Sequence, residues 1–268
     1  MTAATVGELF TRDRRSDRPS LEDATGRTYD THWLCTSTWK AGNFLRHSGV
    51  REGVRVGVVG SGPMALLSFF GTALLEGTTR FDPPKNLTSE AAREPTADDG
   101  PYRAVVAPTS RVGDFELPDG AQRIGYGASS DEPAVHHFDK GLWSENPSFP
   151  PIDLGSGTPL LTDGERMVTH GEALECAREI IETEEIEAGD RVVLRAPLAD
   201  PRTVAAGVIA PLLADGVFVL TEEMSGFEER DPDKRGAYAD NRGAYAVTTR
   251  ERESVPEPRR LDLEGVSL

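Results

Sequence analysis

The chain has 268 residues, of which 45 are acidic and 29 basic, for a formal charge of −16. That balance repels phosphate backbones and anionic lipid, so neither nucleic acid nor membrane is an expected partner. The length suits one or two domains, and a hydrophobic share of 37% is ordinary for an α/β protein. Lysine occurs only at Lys40, Lys85, Lys140 and Lys234. An acid-rich, lysine-poor surface matches a cytoplasm held at molar salt, where charge repulsion is screened within a few ångströms, so a halophilic cytoplasmic setting is expected. Cys35 and Cys176 stand apart from each other and from any histidine pair, which predicts reduced core thiols and no metal site. The opening residues lack the apolar run of a signal peptide, and the longest apolar stretch, 64–75, is too short to span a bilayer.

In chain order, Val6, Leu9 and Phe10 have helical spacing over 6–15, and "ATG" at 24–26 separates two extended runs like a hairpin turn. Thr31 is placed to cap a helix with an apolar face of Trp33 or Leu34, Thr38, Ala41 and Leu45, ended by Gly49. The run 54–59 reads as a buried parallel strand, 64–75 as a buried helix, and "GTTRF" as the next strand. Polar residues from Lys85 to Gly100 predict a loop, "YRAVVAP" and "AQRIGYG" two further strands, and the proline-rich 129–152 a junction. After it come "PLLTDGERMVTH", a helix over 171–184, the strand "DRVVLRAP", a helix over 201–214 and the strand "GVFVLT". Strands alternating with amphipathic helices predict an α/β fold of two βαβ-type subdomains, about 1–150 and 151–268. The pentapeptide "RGAYA", at 235 and again at 242, is too short and too seldom repeated for a solenoid.

One motif carries nucleotide chemistry. Gly60, Gly62 and Ala65 fit G-x-G-x-x-A between a strand and a helix, with Asp82 downstream to meet a ribose hydroxyl, as in a dinucleotide-binding turn. Pro63 removes one amide donor from that turn, and a tight strand-to-helix connection explains the same glycines.

A wider pattern covers nearly the whole chain. "SLEDATGRTYD", "NFLRHSGVREGVRVGVV" and "LLSFFGTALLEGTTRFDPP" resemble in order and spacing the opening of the AMP-binding acyl-CoA synthetase family, with Gly49, Val50, Gly53 and Val56 at matching positions. Later, Gly189, Asp190, Pro197, Leu198, Leu213 and Gly216 fit the family's "gD" and "P" segments. The resemblance implies the two α/β subdomains of the N-terminal part of an acyl-adenylate-forming synthetase. It also implies a phosphate loop, whose start Ser156, Gly157 and Thr158 resemble and whose end resembles Thr169 and His170.

The middle of that loop departs from the family. Asp163 and Glu165 stand where a threonine, glycines and a lysine are expected, and carboxylates oppose a field meant for a triphosphate. The family's aromatic "YG.TE" segment, ribose aspartate and lid lysine have no counterpart here. Strong ATP binding is therefore not expected: Ser156, Gly157, Thr158 and His170 are the residues open to weak contact with ATP, AMP or another anion, an ordinary loop is the other reading of the same residues, and no catalytic residue or metal ligand is assigned. Three readings stay open: a degenerate synthetase-like domain with a binding, regulatory or scaffolding role; an acyl-CoA synthetase component needing a second chain; and a dinucleotide-binding oxidoreductase module. A protein partner or self-association is expected, because a half-fold leaves sheet edges and apolar faces uncovered.

Overall fold

The computed structural model describes residues 3–88, 100–151, 154–221, 243–249 and 255–268. Residues 89–99 of the loop expected over Lys85 to Gly100 and the first "RGAYA" copy lie outside the described residues. Among the described residues thirteen strands follow one another: β1 (Pro19–Glu22), β2 (Thr28–Asp30), β3 (Arg55–Val58), β4 (Thr78–Phe81), β5 (Tyr102–Pro108), β6 (Gln122–Tyr126), β7 (Val135–His137), β8 (Pro159–Thr162), β9 (Met167–Thr169), β10 (Arg191–Leu194), β11 (Val217–Val219), β12 (Tyr245–Thr248) and β13 (Arg259–Asp262). The helices among them are α1 (Thr31–His47), α2 (Pro63–Ala73), α3 (Phe138–Ser144), α4 (His170–Glu184), α5 (Pro201–Val204) and α6 (Ala210–Leu213).

The chain forms two compact units, one from Met1–Cys35 with His170–Leu268, the other from Thr36–Thr169. This differs from the contiguous division 1–150 and 151–268 expected from sequence. The physical reason is a long-range pairing: β1 lies parallel to β11, with Leu21 opposite Phe218, so the first strand belongs to the sheet built by the last hundred residues.

In the first unit the strand order is β13-β12-β10-β11-β1-β2. Every neighbouring pair is parallel except the β1/β2 hairpin at one edge. β10 sits inside the sheet, and Val192, Val193 and Leu194 are fully buried, as a mainly apolar strand covered on both faces requires. The helix expected over 6–15 is instead two 3-10 turns, Val6–Phe10 and Arg12–Arg14, because Thr11 is extended between them. Val6, Leu9 and Phe10 are nevertheless buried. Arg14 and Arg18 both reach Asp215, at 3.1 and 2.9 Å, and tie this segment to the turn before β11.

The cap of α1 also differs from expectation. Asp30 Oδ1 accepts the Trp33 N–H at 2.6 Å, while the Thr31 hydroxyl donates to the Arg18 carbonyl. At the other end Gly49 takes φ +84°, and Val50 donates back to the Leu45 carbonyl at 3.0 Å. Glycine suits that left-handed stop because it has no Cβ to clash. The helix expected over 201–214 is α5, a π-helical turn Ala205–Ile209, and α6. Pro211 follows that turn and lacks the N–H that would return to Gly207, a defect that a widened turn accommodates.

The second unit has the order β7-β6-β5-β3-β4-β8-β9, parallel apart from the terminal β8/β9 hairpin. β3 carries Val56 and Val58 and β5 carries Val105 and Val106, all fully buried. Residues 65–73 of α2 are also buried, and its hydroxyls are satisfied within the helix, Ser68 donating to the Met64 carbonyl and Thr72 to that of Ser68. The stretch 129–152, read from sequence as a junction, contains β7 and α3. β7 has three residues with one buried side chain, too short to leave a periodic signal.

Candidate functional site

The phosphate-loop segment folds as a hairpin. Between β8 and β9 the turn 163–166 is closed by two side chains: the Thr162 hydroxyl donates to the Arg166 carbonyl at 2.9 Å and accepts the Gly164 N–H at 3.0 Å. Asp163 Oδ1 accepts the N–H groups of Glu165 and Arg166, both at 2.8 Å. Burial pushes the Asp163 carboxyl up, but the backbone amides and the Arg80 charge together outweigh it and hold the carboxyl below the ordinary range. The turn therefore already contains an anion. A phosphate approaching these amides must displace a covalently tethered carboxylate that pays no entropy of association.

The site residues expected from sequence are not gathered around this turn. Ser156 and Gly157 are exposed and Thr158 is half-buried, in a separate turn in which the Thr158 N–H returns to the Gly155 carbonyl at 3.1 Å. The whole of β8 separates them in the chain from 163–166. His170 opens α4 and is fully buried. Its Nδ1 accepts the Val6 N–H at 3.1 Å, which puts the neutral-ring proton on Nε2, an atom with no hydrogen-bond partner among the described residues. Desolvation lowers its pKa to about 4, so at neutral pH it is an uncharged core histidine and offers no positive charge to a phosphate. What sequence reading missed is Asp163 as the occupant of the turn's amides. The signal was present, since aspartate followed by glycine after a strand is a common side-chain-closed turn.

The glycine turn after β3 shows a similar filling. Gly60 has φ +95°, and a Cβ there would collide with the hydroxyl of Tyr126. That hydroxyl donates to the Val59 carbonyl at 2.6 Å. The Gly60 amide faces the carboxyl of Asp82. Crowding by protein atoms raises this carboxyl above its ordinary pKa, against the lowering by Arg111 and by the Gly60 amide. Tyr126 and Asp82 thus take the space and the amide that a dinucleotide pyrophosphate would use at Gly60. Further along, Gly62 starts α2 with no side-chain cap.

Among the described residues no group of three His, Cys, Asp or Glu side chains could hold a metal ion, and no helix is long and apolar enough to cross a membrane. Cys35 and Cys176 are buried free thiols, each raised to about 11 mainly by burial.

Two parallel-rich sheets joined in this order define an α/β architecture matching the N-terminal subdomain of the acyl-adenylate-forming synthetases. No family model and no curated protein matches the sequence. Among solved structures the chain is similar to the anthranilate CoA ligase AuaEII in complex with anthranoyl-AMP, with TM-score 0.72 and 13% identity over 91% of this chain and 49% of that one. It is similar also to the N-terminal domain of FACL13 from Mycobacterium tuberculosis, with TM-score 0.69, 14% identity and coverage of 91% and 62%. The nonribosomal peptide synthetase FmoA3 aligns with TM-score 0.62 and 18% identity, over 81% of this chain and 22% of that one. The likeness is one of fold, and the chain spans less than two thirds of the length of each of these proteins.

Proposed function

We propose that this chain is a synthetase-fold domain that does not adenylate a carboxylic acid by itself and that works by binding, regulation or scaffolding. The observation that carries this reading is the Asp163 carboxylate seated on the amides of Glu165 and Arg166. Adenylation needs a loop whose donors are free to hold a triphosphate and offset its developing charge, and removing one such donor costs about a hundredfold to a thousandfold in rate. Here the donors face an internal anion, and Glu165 adds a second acid to the same turn. Weak nucleotide contact falls to Ser156, Gly157 and Thr158 ahead of β8, since His170 is buried and neutral.

The test is acyl-dependent exchange of labelled pyrophosphate into ATP, with magnesium, for acetate and longer acids, at low and at molar potassium chloride. The expected exchange equals the no-protein control. Robust exchange by the purified chain overturns the reading.

A second reading rests on the resemblance of the segments carrying Gly49, Val50, Gly53 and Val56 to the opening of the synthetase family. On this reading it is an acyl-CoA synthetase component completed by another polypeptide. Exchange that appears only when a second chain is added, and that falls on Ser156→Ala or Thr158→Ala, decides for it.

A further inference from the structure

Trp143 is 84% exposed, alone among the described large apolar side chains. It lies on α3, three residues from exposed Lys140 on the same helical face. Lys40 of α1 places its Nζ 5.8 Å from the Trp143 ring centroid. About 9 Å further along α1, at roughly 1.5 Å per residue, Arg46 stacks its guanidinium on Phe149, 4.6 Å from that ring's centroid. Two of the chain's four lysines therefore flank one solvent-facing tryptophan, in a chain whose overall charge is −16.

The acids nearest in sequence are already engaged. Asp139 accepts the Gly127 N–H at 2.8 Å, and Glu145 meets His47 Nδ1 at 3.1 Å. Lys40, Arg46 and Lys140 have no carboxylate within ion-pair distance among the described residues. The segment that carries the patch is held in place: the Asn43 amide donates to the carbonyls of Asn146 and Ser148, at 3.1 and 2.9 Å, and Phe149 packs on Gly42.

We propose that the surface made by Lys40, Arg46, Lys140 and Trp143 is a docking site for an acidic, aromatic-containing segment of a partner polypeptide. Leaving a tryptophan face in water forgoes its burial, and tryptophan with neighbouring cations is the composition of an interface anchor. Charge complementarity selects the occupant. A short peptide with a few carboxylates meets the local cations at contact distance, a pairing that survives in part even at molar salt, where the Debye length is about 3 Å. An extended polyanion or an anionic membrane would also meet the acidic remainder of the surface. A second copy of the chain brings −16 against −16. The site stands on the second unit's surface and does not depend on what the 163–166 turn binds.

The experiment uses the full chain and a fluorescently labelled synthetic peptide of about twelve alternating Glu and Phe residues, which at roughly 3.3 Å per residue more than spans the patch. Anisotropy is read in 0.1 M and 1 M potassium chloride. The expected result is saturable binding that weakens in 1 M salt, with at least a tenfold loss in Trp143→Ala and in the Lys40→Glu, Lys140→Glu double variant. Unchanged circular dichroism and unfolding midpoints show that these exposed substitutions leave the fold intact. Equal binding by the variants, absence of saturable binding by the parent chain, or equally tight binding of a single-stranded oligonucleotide of the same charge overturns the proposal. A Trp143-dependent dimer in sedimentation also overturns it, by assigning the face to a second copy.

Discussion

Val6 and His170 are 164 residues apart in the chain, yet the Val6 N–H donates to His170 Nδ1 at 3.1 Å inside the first unit. The bond requires a neutral ring, and burial enforces neutrality by lowering the histidine pKa to about 4. The unfolded chain, with an ordinary histidine, takes up the proton near pH 6.5. Between these values the unfolded state holds more protons, so this contribution to stability is complete above about pH 6.5 and is lost as pH falls toward 4. Between pH 7 and pH 5 the loss is about 2 kcal/mol. Urea midpoints of the parent chain and of His170→Asn at both pH values check this, and the variant should show a shallower fall.

Asp163 closes its turn with two amide bonds at 2.8 Å. Asp163→Ala leaves the Glu165 and Arg166 amides to water and should cost about 1 kcal/mol, the usual net worth of such bonds. Asp163→Asn keeps an accepting oxygen and should lose less. Chemical denaturation of the two variants gives the ordering, and an equal loss in both would mean that charge, not geometry, holds the turn.

Arg195, just beyond β10, makes a two-pronged pair with Glu257, at 2.9 and 2.7 Å, and the glutamate side chain is fully buried. Glu257→Ala removes the carboxylate that pairs a largely buried guanidinium and should destabilise by about 3 kcal/mol. An Arg195→Met, Glu257→Leu double variant should recover most of that loss, because an apolar pair needs no mutual compensation. The unfolding midpoints of the three proteins decide it.

The charge of −16 predicts a salt response. The unfolding midpoint should rise steeply from dilute buffer to molar potassium chloride as repulsion is screened. A flat or falling midpoint removes the halophilic assignment.

The sequence by itself determined the alternation of buried strands and helices. Val56 and Val58, Val192 to Leu194, and the apolar stretch now seen as α2 announce themselves because burial on both faces demands a mainly apolar run. The acids of the hairpin turn were legible too, as residues unsuited to a triphosphate. Only the tertiary structure decided that β1 joins β11, which splits the chain into a discontinuous and a continuous unit, because strand pairing across nearly two hundred residues leaves no local periodicity. It also decided that His170 is a buried acceptor and that Asp163 turns its carboxylate onto its own turn's amides. A residue's type states what it can bond. Which partner it meets depends on where the folded backbone aims it.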